Sequence, residues 1–199
     1  MKPPMDAQLE ARLASSIEAS AGLILSTKES LAKAVVKGAE MLVQTFSQGG
    51  KALICGNGGS AAQAQHLAAE LVGRYQKERL GLRALCLASD TALLTALGND
   101  YGFDEIFARQ VAALGKEGDC LVALTTSGRS RNIARAMEEA QAKGLLVLAF
   151  TGKDGGEALK LLRPQDASIH IPHDSTPRIQ EAHLCALHLL CEALEELLS

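Results

Sequence analysis

The chain of 199 residues has no tryptophan, two tyrosines and four phenylalanines. That is too few aromatic rings to stack nucleobases along a binding surface. A charge excess of either sign is also missing: 20 Lys and Arg against 23 Asp and Glu leave −3, which gives no electrostatic case for nucleic acid or anionic lipid. No apolar run approaches the ~20 residues of a membrane span. Residues 1–16, MKPPMDAQLEARLASS, meet acidic residues where a secretory signal needs an apolar centre. The five cysteines (Cys55, Cys86, Cys120, Cys185, Cys191) are odd in number and form no C-x-x-C pair. Most lie in apolar runs, the pattern of reduced core thiols rather than a disulfide framework. Together these absences point to a cytoplasmic protein with no nucleic-acid or membrane partner.

What is present is apolar patterning. At 47% hydrophobic residues, the chain suffices for one buried domain, 1–199, and not for two. Leu9, Leu13, Ile17, Ala21 and Leu25 recur at helical spacing after the candidate N-cap Asp6. Ser26 or Thr27 then reads as the cap of a second helix, with Glu29 or Ser30 in its first turn and Gly49-Gly50 closing it. Two helices over 1–50 exceed what a minimal sheet requires. Their small residues (Ala14, Ser15, Ser16, Ala19) suit close helix approach, so oligomerisation is the role expected of them.

From residue 51 the pattern alternates. Apolar strands are expected at 52–55, 83–87, 120–125, 145–150 and 168–171. Helices are expected at 60–73, 90–97, 104–114, 132–143, up to 162, and 178–198, with 98–102 (GNDYG) breaking the chain between two of them. Continuous apolar strands alternating with helices mean a parallel sheet covered on both faces. The α/β core is therefore 51–199, with about five strands in a three-layer αβα sandwich.

Ligands in such sheets bind beyond the carboxyl ends of the strands. Gly56-Asn57-Gly58-Gly59-Ser60 leaves the first strand and opens a helix, a layout whose free N–H groups and missing side chains let a phosphate approach. Thr125-Thr126-Ser127-Gly128-Arg129-Ser130 leaves the third strand with a cluster of hydroxyls. Simple N-capping explains one such loop; hydroxyl clusters on two neighbouring loops fit a phosphate monoester better. The glycines also fit a loose G-x-G-x-x-A dinucleotide fingerprint, but the acid expected after the second strand, Asp90, comes late.

His66 and Glu70 are four apart on the helix after the glycine loop and share a face. In the last helix Gln180, His183 and His188 interrupt an apolar surface. Gln180 and His188 lie about 80° apart around that helix and ~12 Å apart along it. With His66 and Glu70 they offer the nitrogen and oxygen donors of a zinc site, and satisfied core histidines remain the alternative.

The motifs CGNGGSAAQAQHLAAELVGRY, ALGNDYGFDEIFARQV, LTTSGRSRNI, FTGKDGG and RIQEAHLCALHLL, taken together, resemble the phosphoheptose isomerases of the sugar isomerase (SIS) family. The resemblance implies a flavodoxin-like SIS fold. It implies conversion of sedoheptulose 7-phosphate to D-glycero-D-manno-heptose 7-phosphate through an enediol, toward lipopolysaccharide and surface-glycan heptoses. A homotetramer with active sites at subunit interfaces is implied, and one Zn2+ per subunit. Residue by residue it implies Glu70 and His188 as catalytic, and His66, Glu70, Gln180 and His188 as metal ligands. Asn57, Gly58, Gly59, Ser60, Arg74, Asn99, Asp100, Thr125, Thr126, Ser127, Ser130 and Gln180 are implied to bind substrate, with Arg178 also at the site. His183 receives no role beyond packing. SIS proteins also include non-enzymatic tetramers that bind the replication initiator and domains that sense sugar phosphates, which is the alternative reading.

Overall fold

Five apolar runs lie side by side as a parallel sheet in a computed structural model that describes residues 5–198. The two ends of the expected domain, 1–4 and 199, lie outside the described residues. The strands are β1 (Ala52–Gly56), β2 (Ala84–Cys86), β3 (Cys120–Thr125), β4 (Leu146–Gly152) and β5 (Ala167–Ile171), in the order β2-β1-β3-β4-β5. Helices α1 (Met5–Ser47), α2 (Gly59–Val72), α3 (Thr91–Tyr101), α4 (Ala108–Leu114), α5 (Arg131–Ala142), α6 (Gly156–Leu161) and α7 (Thr176–Leu197) flank it.

The pleat sends alternate side chains to opposite faces. Ala52 and Ile54 of β1, with Val122 and Leu124 of β3 and Phe150 of β4, meet Leu42 of α1, Leu67 of α2 and Leu190 of α7. Leu53 and Cys55, with Leu121, Ala123 and Val147, meet Val111, Ile133 and Met137 of α4 and α5. Both faces are therefore dry, the three-layer sandwich that unbroken apolar strands require. In this order the chain reverses direction across the sheet between β1 and β3, so the crevice opens where Gly56 pairs with Leu124.

Three expectations are corrected. The two N-terminal helices are one, Met5–Ser47. The hydroxyls expected to cap a second helix bond backwards instead: Ser26 Oγ and Thr27 Oγ1 each donate to Leu23 O at 2.9 Å, and Ser30 Oγ donates to Thr27 O. Such back-bonding satisfies the side chain within a continuing helix. The break at 98–102 also shifts. Asp90 caps α3 by accepting the Leu93 N–H at 2.9 Å, and the helix runs through Gly98 to stop at Gly102, whose φ is 86°. The single helix expected over 104–114 becomes a 3-10 turn, Phe103–Glu105, followed by α4.

Candidate active site

Beyond β1, Gly58 (φ 55°) turns the chain into α2 without a side-chain cap. A Cβ on Gly56 would sit 2.4 Å from Ser60 O, and one on Gly59 would sit 2.5 Å from Gln180 Nε2. The glycines thus allow two close approaches: the loop onto its own helix, and α7 onto the loop. Gln63 Nε2 donates to Gln180 O at 2.7 Å and ties α2 to the first turns of α7.

Beyond β3, two of the expected phosphate hydroxyls hold their own loop. Thr125 Oγ1 accepts the Gly128 N–H and Ser127 Oγ accepts the Arg129 N–H, both at 3.1 Å. Ser130 stands at the N-cap of α5 without making a side-chain cap bond, its Oγ 3.4 Å from Thr125 Oγ1. Thr126, Ser127 and Ser130 are half-buried, while Ser60 is buried. The two loops are joined underneath by a residue that sequence reasoning missed. Asn57 and Asn132 exchange side-chain amide bonds, each Nδ2 donating to the other's Oδ1 at 2.8 Å. The signal was thin, a single polar residue in the first turn of a helix.

Along α2, His66 and Glu70 project together as their spacing predicted, Nε2 to Oε1 at 3.2 Å, with side chains 41% and 24% exposed. His188 of α7 comes to the same place, its Nε2 3.2 Å from His66 Nε2. Tyr75, quoted in a motif but given no role, stacks on His188 with ring centroids 5.8 Å apart. His66, Glu70, Gln180 and His188 therefore belong to the facing surfaces of α2 and α7, beside the glycine loop. Among the described residues no group of three or more His, Cys, Asp or Glu side chains is arranged to hold a metal ion as it stands. The donors nevertheless fit a zinc ion in kind. Tetrahedral zinc with ligands at ~2.0–2.1 Å has ligand–ligand edges of about 3.3 Å, close to the two separations given above.

The remaining expected residues make other contacts within this chain. Asn99 Nδ2 donates to Asp100 Oδ1 at 2.8 Å, on the exposed end of α3. Arg74 pairs with Glu78 at 3.5 Å. Arg178 donates to both carboxylate oxygens of Glu181 at 2.7 Å and to Ser20 Oγ of α1. Its guanidinium holds the Glu181 carboxyl below the usual range, helped by Ser20.

His183 is a packed core histidine, as expected. It is wholly buried, edge-on to Phe150, with Nε2 3.0 Å from the Thr151 carbonyl. A carbonyl only accepts, so Nε2 carries the proton. Burial, opposed by that bond and reinforced by His170, pulls its pKa down to about 4. Cys55 is equally buried, and burial pushes its thiol far up, with a smaller contribution from Cys86. That suits a core thiol and not a nucleophile.

Residues 16–152 match the SIS domain family model. A phosphoheptose isomerase from Bordetella avium is 47% identical over 190 residues, 96% of each chain. The chain belongs to the phosphoheptose isomerase family of SIS-domain proteins. Another family member, from Neisseria gonorrhoeae, is 44% identical over 190 residues, again 96% of each chain. A solved phosphoheptose isomerase structure from the same species superposes with a TM-score of 0.90 at 41% identity, covering 94% of this chain and 99% of that one. One from Francisella tularensis gives 0.90 at 40%, covering 94% and 97%.

Proposed function

We propose that this protein isomerises sedoheptulose 7-phosphate to D-glycero-D-manno-heptose 7-phosphate, with the acid–base chemistry on Glu70 and His188. The observation that carries this reading is the meeting of His66, Glu70 and His188 on the helix that the glycine loop opens and the helix facing it. The family's named activity fits it.

In the ketose the carbonyl is at C2. The Glu70 carboxylate takes a proton from C1, leaving a cis-enediolate; the carboxyl proton exchanges with solvent, and Glu70 then delivers a proton to C2. His188 carries a proton from the C1 oxygen to the C2 oxygen, so the carbonyl ends at C1 and no atom is gained or lost. An imidazole changes charge near neutrality and serves in either direction. General acid–base work of this kind is worth about 10²–10⁴-fold. The phosphate, far from C1 and C2, is held by Ser60, Thr126, Ser127 and Ser130 with the N–H groups opening α2 and α5. Its binding energy orients the reacting end. Asn57 and Gln180 line the path between the two ends.

His66, Glu70, Gln180 and His188 are the residues that would hold zinc. Bound there, the ion supplies a Lewis acid for the carbonyl and the enediolate oxygen. As a ligand Glu70 is a weaker base, so its two roles compete.

Oligomerisation through α1 is the second part of the proposal. Leu13, Ile17, Leu25 and Val36 are 49–72% exposed along that helix, an apolar stripe that a soluble chain covers with another copy. A homotetramer in the cytoplasm, one zinc per subunit, sites shared between subunits and a product feeding nucleotide-activated heptoses complete the reading. Arg74, Asn99, Asp100 and Arg178 would then act across subunit boundaries.

The test is incubation of the purified protein with sedoheptulose 7-phosphate, followed by 13C NMR for the aldose. Appearance of the aldose supports the enzyme. Saturable binding without turnover would replace it with the sensor or initiator-binding reading.

A further inference from the structure

The distances at the cluster depend on how far apart α2 and α7 stand, since His66 and Glu70 ride on one and His188 on the other. The Gln63–Gln180 bond fixes that spacing on one side of the cluster. On the other side is a device built from a buried acid. Glu195 lies about two turns beyond His188 on the same face of α7 and is only 4% exposed. Its carboxylate accepts the backbone N–H groups of Tyr75 at 3.1 Å, Gln76 at 3.1 Å and Lys77 at 2.9 Å. These residues follow α2 after Gly73 and Arg74. Arg79 then folds back on that helix end: it donates to Glu70 O at 2.7 Å and Leu71 O at 2.9 Å, with its Nε 3.7 Å from Glu195 Oε1.

The connection closes on the cluster at both ends. The carbonyl that Arg79 holds belongs to Glu70, whose carboxylate meets His66. Tyr75, whose N–H Glu195 holds, stacks its ring on His188. Burying a carboxylate and a guanidinium costs heavily unless both are hydrogen-bonded. Here Glu195 and Arg79 bond the backbone flanking the chemistry, and the buried Arg79 Nε, which makes no hydrogen bond, faces Glu195 at 3.7 Å.

We propose that Glu195 and Arg79 are positioning residues that set the α2–α7 spacing, and with it the geometry of His66, Glu70 and His188. The activity arm of its test rests on the isomerase reading; the structural arm does not.

The experiment compares wild type, Glu195→Ala, Glu195→Asp and Arg79→Met as full-length proteins, by steady-state kinetics on sedoheptulose 7-phosphate and by crystal structures. Misplacing reacting groups by about 1 Å costs on the order of 100-fold. Glu195→Ala and Arg79→Met should lower kcat by about 10–100-fold with KM within about threefold, since the phosphate loops are untouched. Glu195→Asp should recover most of the loss. In the crystal structures of the first and last variants the His66–His188 nitrogen separation should widen beyond 3.2 Å. A folded Glu195→Ala protein with wild-type kcat and an unchanged separation overturns the proposal, whatever its unfolding temperature. If Glu195→Ala does not fold, Arg79→Met and Glu195→Asp carry the same comparison. If the wild type itself turns nothing over, the isomerase reading falls, and the crystallographic separation still decides the positioning claim.

Discussion

His66 and His188 meet nitrogen to nitrogen, Nε2 to Nε2 at 3.2 Å, across 122 residues of chain. Two bare lone pairs at that distance repel, and so do two N–H groups. The pair therefore shares a single proton or a single cation. With Glu70 Oε1 also 3.2 Å from His66 Nε2, a zinc ion is the cation whose chemistry suits the donors.

On the proposed reading, zinc at this cluster should also stabilise the fold. A ligand at 100 times its Kd adds about 2.7 kcal/mol. Chelator-treated protein should melt at a lower temperature than the zinc-loaded form, recover on adding zinc, and lose that response in His66→Ala. Thermal unfolding with and without the metal measures it, and a wild-type midpoint indifferent to zinc would contradict the assignment.

Gly59→Ala should leave the protein folded while damaging the site. Its Cβ would arrive 2.5 Å from Gln180 Nε2, and a flexible side chain can yield where backbone cannot. Gln180 is displaced, and kcat/KM should fall roughly tenfold, a loss of about 1.4 kcal/mol.

Acid should destabilise the protein through His183. Folded, this imidazole stays neutral down to about pH 4; unfolded, it takes a proton near 6.5. Between those values the unfolded state binds more protons, so stability falls as the pH drops, by up to about 1.4 kcal/mol per unit. Above pH 6.5 the contribution is fully present. His183→Gln keeps a donor for the Thr151 carbonyl and should flatten that part of the profile in urea titrations at pH 4–7.

The assembly should depend on α1. Ile17 is 72% exposed, and Ile17→Glu should shift the protein to smaller species in sedimentation velocity. A tetramer unaffected by that change would place the interface elsewhere.

Much of this layout was legible in the sequence because it is local. The apolar runs at 52–55 and 120–125, short and alternating with helical patterns, read as buried strands, and the spacing of His66 and Glu70 put both on one face. Spacing offered His66, Glu70, Gln180 and His188 as a donor set, but the resemblance singled it out, since helix periodicity does not reveal which helices face each other. What stayed hidden was of two kinds. Ser26 and Thr27 read as caps because hydroxyls bond equally well backwards within a helix, as they do here. Asn132 acts through its reciprocal bonds to Asn57, Glu195 through the N–H groups of Tyr75, Gln76 and Lys77, and Arg79 through the carbonyls of Glu70 and Leu71. A polar residue in a helix carries no mark of such a partner.

The central claim is that Glu70 and His188 move protons through an enediol. The most direct measurement is turnover of sedoheptulose 7-phosphate in D2O by wild type, Glu70→Gln and His188→Gln, with deuterium at C2 of the aldose read by NMR. The account predicts aldose carrying solvent deuterium from the wild type. It predicts losses of at least about 100-fold in both variants, with their assembly unchanged. Wild-type activity retained by folded Glu70→Gln would contradict it.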